Sequence, residues 1–169
     1  GNNFLDLVLV GSQTITPLTL TVEQLGLTSI SKTYDGNNQI KGVTATISTG
    51  NVVAGDLVAA TSIGSFNNAN VGTGKLTTVN ISLSGLDANN YALSSNSISA
   101  NIGSIIQLPS VQYVGSNNGL WSNANNWQNG AIPILNNVAN VIIPVGSTVI
   151  YDSANLSGKT PTSSINING

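Results

Sequence analysis

Apolar and polar residues alternate strictly along four stretches of this chain. They are Leu18-Thr19-Leu20-Thr21-Val22, Val43-Thr44-Ala45-Thr46-Ile47, Val79-Asn80-Ile81-Ser82-Leu83 and Ile98-Ser99-Ala100-Asn101-Ile102. Successive side chains on a strand point to opposite faces, so each stretch predicts a half-buried strand. Turn-forming clusters separate them: Asp35-Gly36-Asn37-Asn38, Gly55-Asp56, Asn70 to Gly74, and Asp87 to Asn90. Strands punctuated in this way predict a sandwich or a barrel, and the expected class is all-β. After Leu108-Pro109 the texture changes. Gly115 to Pro133 holds both tryptophans among Asn, Gly and Ser, and short apolar strands follow at Val138 to Ile143, Thr148 to Tyr151 and Ser164 to Ile167. The expected organisation is a tail of strands over 1–17, a small β-sandwich module over 18–107, and a second β-rich unit over 108–169.

A repeat underlies the first boundary. Asn2-Asn3-Phe4 followed by Ile15 matches Asn89-Asn90-Tyr91 followed by Ile102, at a constant offset of 87 residues (Asn3 to Asn90, Ile15 to Ile102). Residues 1–17 then read as the last strands of a preceding copy, with Pro17 at the junction, where fixed φ and a missing N–H suit a break between sheets. Gly1 opens the chain without an export signal, and the expectation is an excised or processed fragment.

Composition narrows the function. Charged residues make up 6% of the chain, against about 25% in ordinary domains. Asn, Ser, Thr and Gly carry the surface instead, and all are poor helix formers. The cations are Lys32, Lys41, Lys75 and Lys159, with no arginine. Nucleic acids and anionic membrane surfaces demand clustered cations, so both are excluded as partners. No stretch reaches the ~20 apolar residues of a spanning helix, and membrane insertion is not expected. Without cysteine there are no disulfides or thiolate metal sites.

Catalytic chemistry is equally thin. Lacking His, Cys and Arg, the chain cannot build the usual nucleophilic triads. The acids Asp6, Glu23, Asp35, Asp56, Asp87 and Asp152 mostly sit beside Gly or Asn, where turn formation is their ordinary role, so no enzyme is expected. Gly72-Thr73-Gly74-Lys75 imitates a phosphate loop, but Ala69 and Leu76 stand where Gly and Ser or Thr are required. No cofactor is expected. Calcium stays a candidate at Asp87-Ala88-Asn89-Asn90, against plain turn chemistry. A Lys–Asn crosslink involving Lys32, Lys41 or Lys75 is conceivable, with no pairing readable. Trp121 and Trp127, with Tyr113 and Tyr151, either form a flat sugar-binding platform or plug the open end of the second unit. The plug is preferred, because large aromatics are mostly buried. Asp35-Gly36 forms a turn pair beside Tyr34, whose ring is expected to be buried with its hydroxyl on a backbone group. Gly55-Asp56 and Gly72-Thr73-Gly74 are assigned similar turns.

Ile30-Ser31-Lys32-Thr33-Tyr34-Asp35-Gly36-Asn37 resembles the signature of the YDG module. The pattern continues through Val52-Val53-Ala54-Gly55-Asp56, Phe66 and Asn70-Val71-Gly72-Thr73-Gly74-Lys75. It closes on Leu83-Ser84-Gly85-Leu86-Asp87-Ala88-Asn89-Asn90-Tyr91-Ala92-Leu93. Such modules occur in tandem in haemagglutinin-like adhesins exported by two-partner secretion, and the resemblance implies a secreted stalk at a bacterial cell surface. Ile15-Thr16-Pro17 matches the usual closing strand, whereas Ile102-Gly103-Ser104 departs from it, which marks 18–107 as the last copy of its array. Trp121-Ser122-Asn123-Ala124-Asn125-Asn126-Trp127 followed by Gly130-Ala131-Ile132-Pro133 is similar to segments that open β-helical units of autotransporter-like proteins, with Ser164 to Gly169 as one coil.

The function expected is therefore a structural spacer of a large adhesin serving cell-surface or biofilm attachment. Its partners would be the rest of that chain, polysaccharide or a host or neighbouring cell surface, and weakly its own copies. The alternative is a carbohydrate-binding module using Trp121 and Trp127.

Overall fold

The computed structural model describes residues 14, 16–22, 29–43, 47, 51–134 and 136–152, with the backbone of 165–167. Residues 1–13 and 15, which carry the first copy of the 87-residue repeat, lie outside the described residues, as do 44–46 of one expected strand. In chain order the strands are β1 (Leu18–Leu20), β2 (Ile30–Thr33), β3 (Gln39–Ile40), β4 (Ala59–Phe66), β5 (Gly72–Ser84) and β6 (Tyr91–Leu93). They continue as β7 (Ser97–Ile106), β8 (Leu108–Gln112), β9 (Gly119–Leu120), β10 (Val138–Ile143), β11 (Val149–Ile150) and β12 (Ile165–Ile167). The protein is all-β. Helical turns among the described residues, at Ala88–Asn90, Ala124–Asn126 and Gln128–Gly130, are three residues long, and no helix there is long and apolar enough to cross a membrane.

Five strands form one mixed sheet in the order β2-β7-β5-β4-β3, with only β2–β7 parallel. The sheet curls until it nearly closes like a barrel, and Lys32 on one edge strand donates from Nζ to the Gln39 carbonyl on the other at 2.9 Å. Alternation sets its inner face: Lys75, Thr77, Val79 and Ile81 of β5 are buried, and the residues between them face outward. The short parallel pair β1–β6 packs against this sheet. Leu20, Ile47 and Tyr91 gather there with Val58, Ala60 and Leu83, while Leu93 also touches the Val79–Ile81 cluster.

A register irregularity corrects two local expectations. Gly72-Thr73-Gly74 is not a turn but the first part of β5, and the pairing with β7 jumps from Thr73↔Ser104 to Lys75↔Gly103 and then to Leu76↔Asn101. Gly74 (φ 63) and Ile102 are the residues passed over. An unpaired glycine at positive φ makes a bulge inside a strand without steric cost. Skipping Ile102 also reverses the phase of β7. The buried residues become Gly103 and Ile105, and Ile106 is exposed.

Beyond Gln107 the chain passes directly into β8, and the pattern of pairing changes. β8, β10 and β12 stack in parallel, and so do β9 and β11. Leu108 lies opposite Val138, and Gly119 opposite Val149, a separation of 30 residues in both pairs, whereas Val141 and Ile165 are 24 residues apart. We call this region of parallel-paired strands the coil. The observed strands agree with the expected Val138 to Ile143, and shorten the other two to Val149–Ile150 and Ile165–Ile167.

One core crosses the expected boundary at 107/108. Tyr34, Phe66 and Ile105 from the first sheet are clustered with Val111, Tyr113, Trp121, Trp127, Ala131, Ile134, Val138 and Val141 from the coil. Full burial of side chains of this size contributes about 1.5–3 kcal/mol each, so neither unit buries its apolar face fully without the other.

Candidate functional site: the Tyr-Asp-Gly corner and the tryptophan loop

The conspicuous motif of the chain sits at that shared core. Tyr34 directly follows β2 and extends its pairing, its N–H donating to the Ile106 carbonyl at 2.9 Å. Asp35 and Gly36 then turn the chain, with Gly36 at φ 82. The corner is held from several sides. Lys32 Nζ forms an ion pair with Asp35 Oδ1 at 2.7 Å. Asp35 Oδ1 accepts from the Asn37 N–H at 3.2 Å, and Asn37 Oδ1 accepts from the Gln39 N–H at 2.9 Å and from Lys32 Nζ at 3.0 Å. Asn and Asp side chains that bond to backbone two residues on mimic a turn and stiffen it.

Tyr34 points from this corner into the coil unit. Its ring is buried and its hydroxyl donates to the Ile132 carbonyl at 2.8 Å. Burial, which disfavours the phenolate, pushes its pKa up; a hydrogen bond with Asn137 opposes this, and the Asp35 charge adds to it. Gly36 lies flat against the same loop. A Cβ at this position would stand 2.5 Å from the Gly130 carbonyl oxygen, so no larger residue fits without separating the two surfaces.

The opposing loop is built around Trp121 and Trp127, which are 3% and 2% exposed. Their rings pack edge to face with centroids 4.8 Å apart, Tyr113 meets Trp127 at 5.4 Å, and the half-exposed Tyr151 meets Trp121 at 5.7 Å. Such pairs add about 0.5–1.5 kcal/mol beyond the area they bury. Both indole nitrogens are satisfied internally: Trp121 Nε1 donates to the Pro133 carbonyl at 3.2 Å and Trp127 Nε1 to the Trp121 carbonyl at 2.7 Å. Both indoles are thus buried under the corner, within the shared core.

Asn137 joins the two halves and was indistinguishable in sequence from the many other asparagines. It is 2% exposed. Its Oδ1 accepts from the Val71 N–H at 2.8 Å, its Nδ2 donates to Asn70 Oδ1 at 3.1 Å, and its carbonyl accepts from the Leu108 N–H at 2.9 Å. Asn137 thereby ties the start of β8 to the segment that leads into β5. Gly103 is the second residue that sequence reasoning missed. A Cβ there would stand 2.4 Å from the Phe66 ring, so the position admits only glycine while that ring keeps its place.

The other singled-out residues lie away from this site. Tyr91 stands at the opposite end of the sheet, its hydroxyl donating to Asp56 Oδ2 at 2.6 Å and accepting from the Val53 N–H at 2.9 Å. The hydrogen bond to Asp56 raises its pKa, since the neutral phenol is the donor, and burial adds to the shift. Gly55 (φ 102) lies in the turn next to Asp56. Asn90 closes the helical turn that begins at Ala88, and Asp87 Oδ2 accepts from the Leu57 N–H at 2.8 Å. Lys75 points into the sheet, where Nζ donates to Asn68 Oδ1 at 2.7 Å, and desolvation lowers its pKa. Asp152 accepts from both the backbone N–H and the hydroxyl of Ser122. Thus Asp35, Asp56, Asp87 and Asp152 are each bonded to their own chain, and among the described residues no three acidic groups gather where a metal ion could be held.

The fold is thus that of an all-β protein in which a nearly closed mixed sheet is followed by parallel-paired strands. A YDG domain is found at residues 16–98. It takes in the Tyr-Asp-Gly corner, the β4–β5 hairpin and Tyr91, while β7 continues past it to Ile106. No curated protein and no solved structure matches the chain.

Proposed function

We propose that the chain is a load-bearing spacer within a secreted, haemagglutinin-like adhesin at a bacterial surface, with no enzymatic role. The observation that carries this reading is the end-to-end course of the chain. It enters at β1, beside Tyr91 at one end of the sheet, and leaves from the end of β7 at the Tyr34 end, passing into β8. A unit with entry and exit at opposite ends adds length when joined to others. The low charge supports it too, since a surface of Asn, Ser and Thr hydrates without drawing counterions. Weak lateral contact with matrix polymers or other copies belongs to the same reading, through sheet edges that carry few charges. The alternative, a carbohydrate-binding module on Trp121 and Trp127, has less support because both indoles are buried.

Labelling of unpermeabilised cells that make the parent protein, with an antibody against this chain, tests the surface role. The expected result is a clear label, together with no retention of glycans by the purified chain. Label only after permeabilisation overturns the surface role. Glycan binding that a Trp121→Ala chain loses while still folded favours the alternative.

A further inference from the structure

We propose that the Tyr-Asp-Gly corner is a docking element that recognises the backbone of the β-unit following it, and so accepts successors of differing sequence. The hydroxyl bond of Tyr34 to Ile132 and the close approach at Gly36 are both to main-chain atoms, while the Tyr34 ring packs among side chains of the shared core. The Tyr34 hydroxyl meets the Ile132 carbonyl, and the atoms nearest a Cβ on Gly36 are the Gly130 carbonyl oxygen, the Gly130 carbonyl carbon and the Ala131 Cα. The receiving turn is itself rigid: the Ile132 N–H donates to the Gly130 carbonyl and the Ile134 N–H to the Ile132 carbonyl, each at 3.0 Å. A carbonyl has two lone pairs, so the Ile132 oxygen holds its own turn and still accepts the tyrosine. What a successor must supply is a glycine turn at positive φ, met here by Gly130 at φ 74, with a carbonyl two residues on.

Each residue of the motif then has a distinct task. Tyr34 reaches the carbonyl, Gly36 allows the close approach, and Asp35 fixes the corner through Lys32 and Asn37. The inference stands on packing alone and survives if the surface role fails.

Gly42 provides the control, because it also has positive φ (75, against 82 at Gly36) but has nothing within 4 Å of the point where a Cβ would stand. Gly36→Ala and Gly42→Ala both place an L-residue at a similar positive φ and differ in docking. Amide hydrogen exchange on the full chain reads the outcome. Gly36→Ala is expected to speed exchange across 111–114 and 138–142 by about tenfold or more beyond Gly42→Ala, with a smaller change across 60–65. Tyr34→Phe, which keeps the ring, is expected to give about a fivefold increase over the same coil amides. Equal effects of the two alanine variants on the coil, or a Tyr34→Phe chain with unchanged coil exchange, overturn the proposal.

Discussion

The two ends of the main sheet are each closed over a buried tyrosine, and the two tyrosines have opposite allegiances. Tyr91 is bonded to Asp56 and Val53, within the YDG domain itself. Tyr34 is bonded to Ile132, in the coil. The Tyr91 end is finished by its own turns and carries small clusters around Leu20 and Val79. The Tyr34 end is finished only when another unit covers it, and the largest core of the described residues forms there. Two similar side chains thus do different work: one closes a domain and the other joins it to its neighbour.

The strongest challenge to this contrast is Trp127→Ala. Removing a buried indole from the shared core is expected to cost about 3–5 kcal/mol, and urea denaturation should show the loss in both halves. A loss confined to the coil would mean that the halves do not share their stability. Asn137→Ala comes next. It leaves the part-buried Val71 N–H without its acceptor, at a cost of about 0.5–1.5 kcal/mol, measurable as a lower denaturation midpoint with accelerated exchange at Val71 and Leu108.

Much of this organisation was legible in the sequence, and the reasons it stopped being so are local. The alternation at Val79 to Leu83 and the short apolar run at Val138 to Ile143 each correspond to strands, because one period governs both pattern and pleat. The alternation at Ile98 to Ile102 predicted the strand but not its inner face beyond Ile102, since a bulge at Gly74 shifts the register. Bulges follow from pairing between distant segments, which no single stretch reveals. Tyr34 was legible as a buried tyrosine, but its partner stands 98 residues away. Asn137 was hidden by abundance: only its position between Val71 and Leu108 separates it from asparagines that merely hydrate the surface.

Smaller effects sharpen the comparison of the two ends. Tyr91→Phe removes a hydroxyl that donates to Asp56 and accepts from Val53, and is expected to cost about 1 kcal/mol. Its exchange signature should lie around Val53 to Leu57 and leave the tryptophan loop unchanged. Spread of that signature into residues 121–134 would erase the distinction between the tyrosines.

The smallest effect is on pH dependence. Both phenols have raised pKa values in the folded state. The unfolded chain therefore ionises first, at about pH 10, and stability falls as pH rises from there through the folded-state values. Lys75 acts in the other direction, because its lowered pKa relieves the cost of burying its charge as pH approaches the ordinary lysine range. A Tyr34→Phe, Tyr91→Phe chain should show a shallower alkaline decline than the wild type, and an unchanged slope would mean that these phenols do not carry it.

The central claim is that the YDG domain and the coil are bound into one cooperative body by the core at Tyr34. Urea unfolding of the full chain tests it directly, followed at once by fluorescence of Trp121 and Trp127, which report the coil, and by exchange of the β4–β5 amides, which report the sheet. The account predicts coincident midpoints for the two probes. Two separated transitions, with the tryptophans released while β4 and β5 stay protected, would contradict it.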